Sequence, residues 1–298
     1  MRGARLLSAV GLGLALFWSS AQASAYCLTH GCSDKKQQCE YDQNGCLVTG
    51  PLLHWASGCV SFDVQRAGSP LRGISYDEAH EAIVAGFTQW LNADCGDGLG
   101  PSIAISDYGP VECRQAEYNQ DAANANIFMF RDDDWPYENA IDTLALTTLI
   151  FNADSGEIYD ADVEVNTIQS PMSIGKIGPN DIDFASVITH EIGHFLGLSH
   201  SDAQGSTMRP SYAPGQTAMS SIEYDDVKGV CDALPPNRET KSESCEPRHG
   251  FSSECALTEN TCAVTPGSPG GVASALFGLA ALSSTLLRRR SRPSTRRP

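Results

Sequence analysis

Apolar and polar residues alternate from His54 to Gln65, with Val60, Phe62 and Val64 on one side, which predicts a strand. From Tyr76 to Ala93 the spacing changes. Ala79, Ile83, Phe87, Trp90 and Leu91 recur at helical intervals and predict a first helix with those side chains in the core. Short apolar runs at Ser102–Ser106 and Ala125–Phe130 predict two more strands. Leu144–Asn152 is apolar and β-branched, Asp154-Ser155-Gly156 reads as a turn, and Ile158–Val165 alternates again. A second helix is predicted over Asp183–Gly197. A third covers Ile222–Leu234, with Ser220 or Ser221 as cap and Pro235-Pro236 as stop. One long helix, a run of strands and two later helices make an α+β domain over residues 51–236, without internal repeats.

The ends differ from this body. Arg2 and Arg5, an apolar run from Leu6 to Trp18, and Ala21-Gln22-Ala23 or Ala23-Ser24-Ala25 predict a signal peptide over 1–25. All 11 Cys follow it, crowded into a segment at 26–50 and another at 237–265, with a few in the body. In an exported chain that density predicts disulfides, and the odd count leaves one Cys over. Pro266–Gly271 reads as a linker, Val272–Leu287 as an apolar helix, and the closing Arg cluster as a membrane stop. Charge narrows the partners. Eight of the 20 basic residues lie in the two ends, which leaves 12 against 36 acidic residues between them. So acidic a surface repels nucleic acid.

The chemistry is concentrated in His190-Glu191-Ile192-Gly193-His194-Phe195-Leu196-Gly197-Leu198-Ser199-His200. His190 and His194, four apart on a helix, project from one face and can share one Zn²⁺. Glu191 flanks them and can take a proton from the attacking water. Gly197 lets the chain turn back, so that His200 arrives as a third ligand. Three neutral His and an open position form the catalytic zinc pattern rather than the structural one. H-E-x-x-H alone arises by chance in roughly one chain in a hundred of this size, and the added Gly and His lower that roughly five-hundredfold. His30, His54, His80 and His249 lack metal spacing and read as surface or capping residues.

This motif resembles that of the metzincin metalloproteases, and within them the chain is most similar to the matrixins. Met208 in Ser206-Thr207-Met208-Arg209-Pro210 matches their Met-turn, and Ser201 follows His200 as it does there. Pro210-Ser211-Tyr212 matches the wall of their specificity pocket, Tyr224–Val230 the start of their last helix, and Trp90 a Trp of their first helix. The resemblance implies a mixed, mostly parallel five-stranded twisted sheet, two long helices and a C-terminal helix, with the zinc cleft below the edge strand. It implies a zinc endopeptidase acting on proteins or peptides laid along that edge, with Pro210, Tyr212, Leu144 and Ala145 touching the substrate. Upstream His for a second zinc are missing, since no His lies between His80 and His190. Asp160, Asp162 and Glu164 stand near the segment that binds calcium in matrixins. They are either Ca²⁺ ligands or the polar face of a strand.

The tail resembles the myxobacterial-type sorting tails of Gram-negative surface proteins. That implies a cell-surface or extracellular monomer whose tail is transiently or permanently membrane-associated, with Cys262 as the leftover thiol. The rival leftover is one of Cys27 to Cys46, plugging the zinc as a thiolate. Two other readings of the whole chain remain open: an inactive or latent protease-fold binding protein, and a disulfide-rich envelope protein.

Overall fold

The computed structural model describes residues 25–32 and 38–254, and the backbone of 272–281. The expected signal peptide, the linker, the Arg cluster and Cys262 lie outside the described residues. Strands β1 (Cys27–Leu28), β2 (Cys59–Gln65), β3 (Ala104–Val111), β4 (Ile127–Phe130), β5 (Thr143–Asn152) and β6 (Ile158–Val165) precede the short β7 (Met172–Ser173) and β8 (Ile182–Asp183). Then come β9 (Leu198–Ser199), β10 (Ser211–Tyr212) and β11 (Val272–Ala281). The helices are α1 (Tyr76–Leu91), α2 (Phe184–Phe195) and α3 (Tyr224–Ala233).

β5-β6-β4-β2-β3 form the expected five-stranded mixed sheet, in which β5 alone runs antiparallel to its neighbour. The sheet continues past β5. β11 pairs antiparallel with β5, and β10 pairs parallel with β11. Two expectations change here. The described part of the apolar tail is an extended strand, not a helix. β5, expected as an open edge, is covered by it. The tail residues are small, apolar and free of Pro, so each can offer its N–H to a ladder instead of to a helix turn.

α1 begins at Ser75, whose hydroxyl accepts from Glu78 N–H while the Glu78 carboxylate accepts from Ser75 N–H. Its apolar stripe packs on one face of the sheet and against α2. Phe87 lies 5.0 Å from Phe62, 5.4 Å from Phe195 and 5.8 Å from Phe128, ring centre to ring centre. Trp90 is fully buried, and its indole N–H donates to Thr189 O at 2.8 Å, tying the end of α1 to the middle of α2. Ile127 and Met129 point to the other face, into a smaller cluster with Val111 and Cys113.

α3 starts two residues later than expected. Its cap is Glu223, whose N–H donates to Asp226, and Ser220 lies in a separate 3₁₀ turn.

All nine described cysteines are disulfide-bonded. The pairs are Cys27–Cys46, Cys32–Cys39, Cys59–Cys245 and Cys95–Cys231, and Cys113 is bonded to a partner outside the described residues. The expectation that one of Cys27 to Cys46 is a free thiolate over the metal site is therefore corrected: these four close two N-terminal loops instead. The first loop also lays Cys27–Leu28 against Leu198–Ser199, beside the chain that delivers His200.

Asp160, Asp162 and Glu164 are all buried, so they are not the solvated face of a strand. The Asp162 carboxylate accepts from the N–H groups of Ile127 and Glu117, and Glu164 pairs with Arg131 and Tyr137. The sheet is covered on both faces here, and Asp162 and Glu164 meet backbone and side-chain donors in place of solvent, whereas neither carboxylate oxygen of Asp160 has a hydrogen-bond partner.

Candidate active site

α2 carries the site because its sequence fixes both its start and its end. Asp183 caps it, accepting from the N–H and hydroxyl of Ser186. Phe184, Val187, Ile188, Ile192 and Phe195 bury its core side. Gly197 closes it at φ +102°, a region that L side chains avoid, and the chain reverses into β9.

That reversal brings His200 to His190 and His194. One ring nitrogen from each of the three lies within 4.8 Å of the others. His190 and His194 are wholly buried, and His200 is half-buried at the mouth. His190 Nδ1 pairs with Thr207 O at 2.6 Å, and His194 Nδ1 with Leu198 O at 2.8 Å. Each carbonyl accepts only from an N–H, so it places the proton on Nδ1 and turns the Nε2 lone pair inward. His190 Nε2 is buried there without a hydrogen-bond partner. Burial, with His200 next in effect, pushes the His190 pKa down to about 3, and burial drives that of His194 down as well. Both rings are therefore neutral, as metal ligands must be.

Glu191 is buried on the flank of the triad. The Thr147 hydroxyl donates to its Oε2 at 2.6 Å, linking α2 to β5. Met208 is fully buried. It packs so closely on α2 that a Cβ at Gly193 would overlap its sulfur and crowd Trp90. Tyr212 is buried, with its hydroxyl accepting from Asp183 N–H and donating to Gln216 O. Leu144 and Ala145 are buried in β5, and Pro210 is half-buried beside β10.

Three contributors escape a reading by spacing: Thr147, Gly193 and Asp226. Asp226 is buried, and its carboxylate accepts from Ser206 Oγ at 2.6 Å, Thr207 N at 2.8 Å and Met208 N at 3.2 Å. It pins the turn that carries both Met208 and the Thr207 carbonyl behind His190. The available signals were slight: a Gly inside a helix, and a second acid in the first turn of α3.

Among the described residues the triad is the group of His, Cys, Asp or Glu side chains close enough to share an ion. Of the other four His, three pair elsewhere, His30 with Gly50 O, His54 with Leu52 O and His80 with Asp107, and His249 lies at φ +70° in the segment after the domain.

A three-His cradle, two from a helix and one from the chain that turns back after it, with a buried Glu beside it and a buried Met packed on that helix, on a five-stranded α+β frame, defines a domain of the metzincin class. The matrixin family model (peptidase M10) matches residues 62–233, more than half of the chain. The chain belongs to the matrixin family. The metalloendoproteinase 1-MMP of Arabidopsis thaliana is 32% identical over 114 residues, 38% of this chain and 29% of that protein. Matrix metalloproteinase-25 of Mus musculus is 34% identical over 106 residues, 34% of this chain and 16% of that protein. Neutrophil collagenase of Homo sapiens is 33% identical over 72 residues, 22% of this chain and 15% of that protein. The chain spans less than a third of the length of these curated relatives.

Proposed function

We infer that this protein is an exported zinc endopeptidase that hydrolyses peptide bonds in proteins. The observation that carries the reading is the inward-facing triad, with His190 Nε2 buried and unpartnered among neutral rings. That is a donor set built for a borderline-soft divalent cation, and His190, His194 and His200 would hold Zn²⁺. When bound, Zn²⁺ supplies Lewis acidity toward the water and the peptide carbonyl alike.

The chain's own residues do the rest. Glu191 accepts the water's proton as its oxygen adds to the carbonyl carbon, and delivers it to the amine as the C–N bond breaks. Thr147 fixes the carboxylate through Oε2, so that its proton exchange has one direction. Substrate would lie extended between Leu144-Ala145 on β5 and Pro210-Ser211-Tyr212, using main-chain hydrogen bonds on both sides. Met208 is a floor to the metal site, not a ligand. The disulfides and the signal-like start support export.

The test measures zinc content and cleavage of an unstructured peptide in the wild type and in Glu191→Ala. The variant is expected to keep its zinc and lose at least ~10²-fold in rate. Undiminished turnover would remove Glu191 from the mechanism.

A further inference from the structure

β11 lies where a peptide substrate would lie. It runs antiparallel to β5 from Val272, opposite Asn152, to Ala280, opposite Thr143. Its far end runs parallel to β10, with Ala280 opposite Ser211 and Ala281 opposite Tyr212. The strand order β10-β11-β5 places it between the two backbone edges that border the cleft. In register, Leu279 stands opposite Ala145, and Phe277 opposite Thr147, the residue bonded to Glu191. α2, which carries the site, also packs against β11.

A ladder position holds one strand at a time. The N–H and C=O groups of β5 that a substrate needs are the ones that β11 uses. The occupant is also covalently tethered. A tether makes its pairing intramolecular, at an effective concentration on the order of millimolar, so an added peptide at micromolar concentration meets a standing competitor. The stretch from Val272 to Ala281 has neither Pro nor charge to weaken its pairing.

We propose that the chain's own segment Val272–Ala281 occupies the peptide cleft and holds the full-length protein latent until it is displaced. The proposal rests on the endopeptidase reading for what is blocked, and on the strand register alone for where the segment lies.

Two measurements on the full chain separate those supports. Ala275→Pro with Leu276→Pro removes two adjacent N–H groups, one of which must face β5. In a Glu191→Ala background, which cannot cut its own tail, amide exchange is followed along Thr143–Asn152. The β5 amides that face β11 should exchange at least ~10-fold faster in the proline variant. The alternate set that faces β6 should not change, which verifies that the domain stays folded. Identical exchange at the β11-facing amides would overturn the proposal.

With Glu191 intact, the proline pair should raise turnover of an unstructured fluorogenic peptide at least ~10-fold, with intact mass confirming that the tail is still attached. Equal turnover would overturn the latency. A wild-type chain recovered cut within 272–281, while Glu191→Ala stays whole, would show the same occupancy. No turnover in either chain, with the exchange response present, would retire the endopeptidase reading and leave the occupied cleft standing.

Discussion

Asp63 sits in the middle of β2, fully buried, with neither carboxylate oxygen hydrogen-bonded. Burial, with the charge of Asp107 adding to it, raises its pKa from 3.8 to about 8. The folded chain therefore keeps this proton up to about pH 8, whereas the unfolded chain releases it near 4. Between those values the folded state binds more protons, so stability falls as pH rises, by up to about 1.4 kcal/mol for each pH unit in that window. Asp63→Asn has the same shape and no charge to lose. Its advantage over the wild type should be small at pH 5, grow to pH 8 and then level off. Urea midpoints of both proteins across that range test this, and a constant difference would mean that Asp63 is not held neutral. The buried His shift the other way. With His190 lowered to about 3, the unfolded chain binds the extra proton below its ordinary 6.5, and the site weakens as pH falls from there.

At the scale of elements, the site is an intersection. α2 supplies two His and Glu191, the loop behind Gly197 supplies His200, β5 supplies Thr147, and the turn at Met208 packs on α2 at Gly193. Asp226 joins the first turn of α3 to that Met208 turn through three hydrogen bonds, and holds its own helix through the N–H of Glu223. Asp226→Ala should cost about 2–4 kcal/mol, because several buried donors lose their acceptor together. It should also weaken zinc retention, because the Thr207 carbonyl that orients His190 moves with the turn. Chemical denaturation and chelator competition read these two effects separately. Unchanged zinc retention in a destabilised variant would confine Asp226 to the fold.

At the scale of the molecule, the covalent links complement the core. Cys95–Cys231 joins the loop after α1 to α3, and Cys59–Cys245 joins the start of β2 to the segment after the domain across 186 residues of sequence. Closing so long a loop removes freedom mainly from the unfolded chain. Cys59→Ser with Cys245→Ser should therefore lower stability by about 3–5 kcal/mol with the metal site unchanged. Non-reducing denaturation and zinc content measure this pair of effects, and loss of zinc at full stability would contradict it. Membrane capture of the apolar tail and its pairing with β5 are mutually exclusive, since the same ten residues cannot be in both places. Among the described residues no helix is long and apolar enough to cross a membrane.

The local parts of this protein were written in short stretches of sequence. His190, Glu191, His194, Gly197 and His200 lie within eleven residues, and helical geometry alone brings the first three to one side. α1, α2 and the five sheet strands were legible because their apolar periods are set by neighbours in sequence. What spacing could not show is what the chain meets across long separations. Nothing near Thr147 in sequence says that its hydroxyl will reach Glu191, 44 residues away. Nothing near Asp160 and Asp162 distinguishes a solvated strand from one covered on both faces. The apolar period of 272–281 is consistent with a membrane helix or a strand, and only an edge with unused hydrogen bonds at β5 decides for the strand. Local spacing is fixed by the covalent chain. Burial and strand partners are fixed by which surfaces remain unpaired once the rest has folded, and only the tertiary structure supplies those.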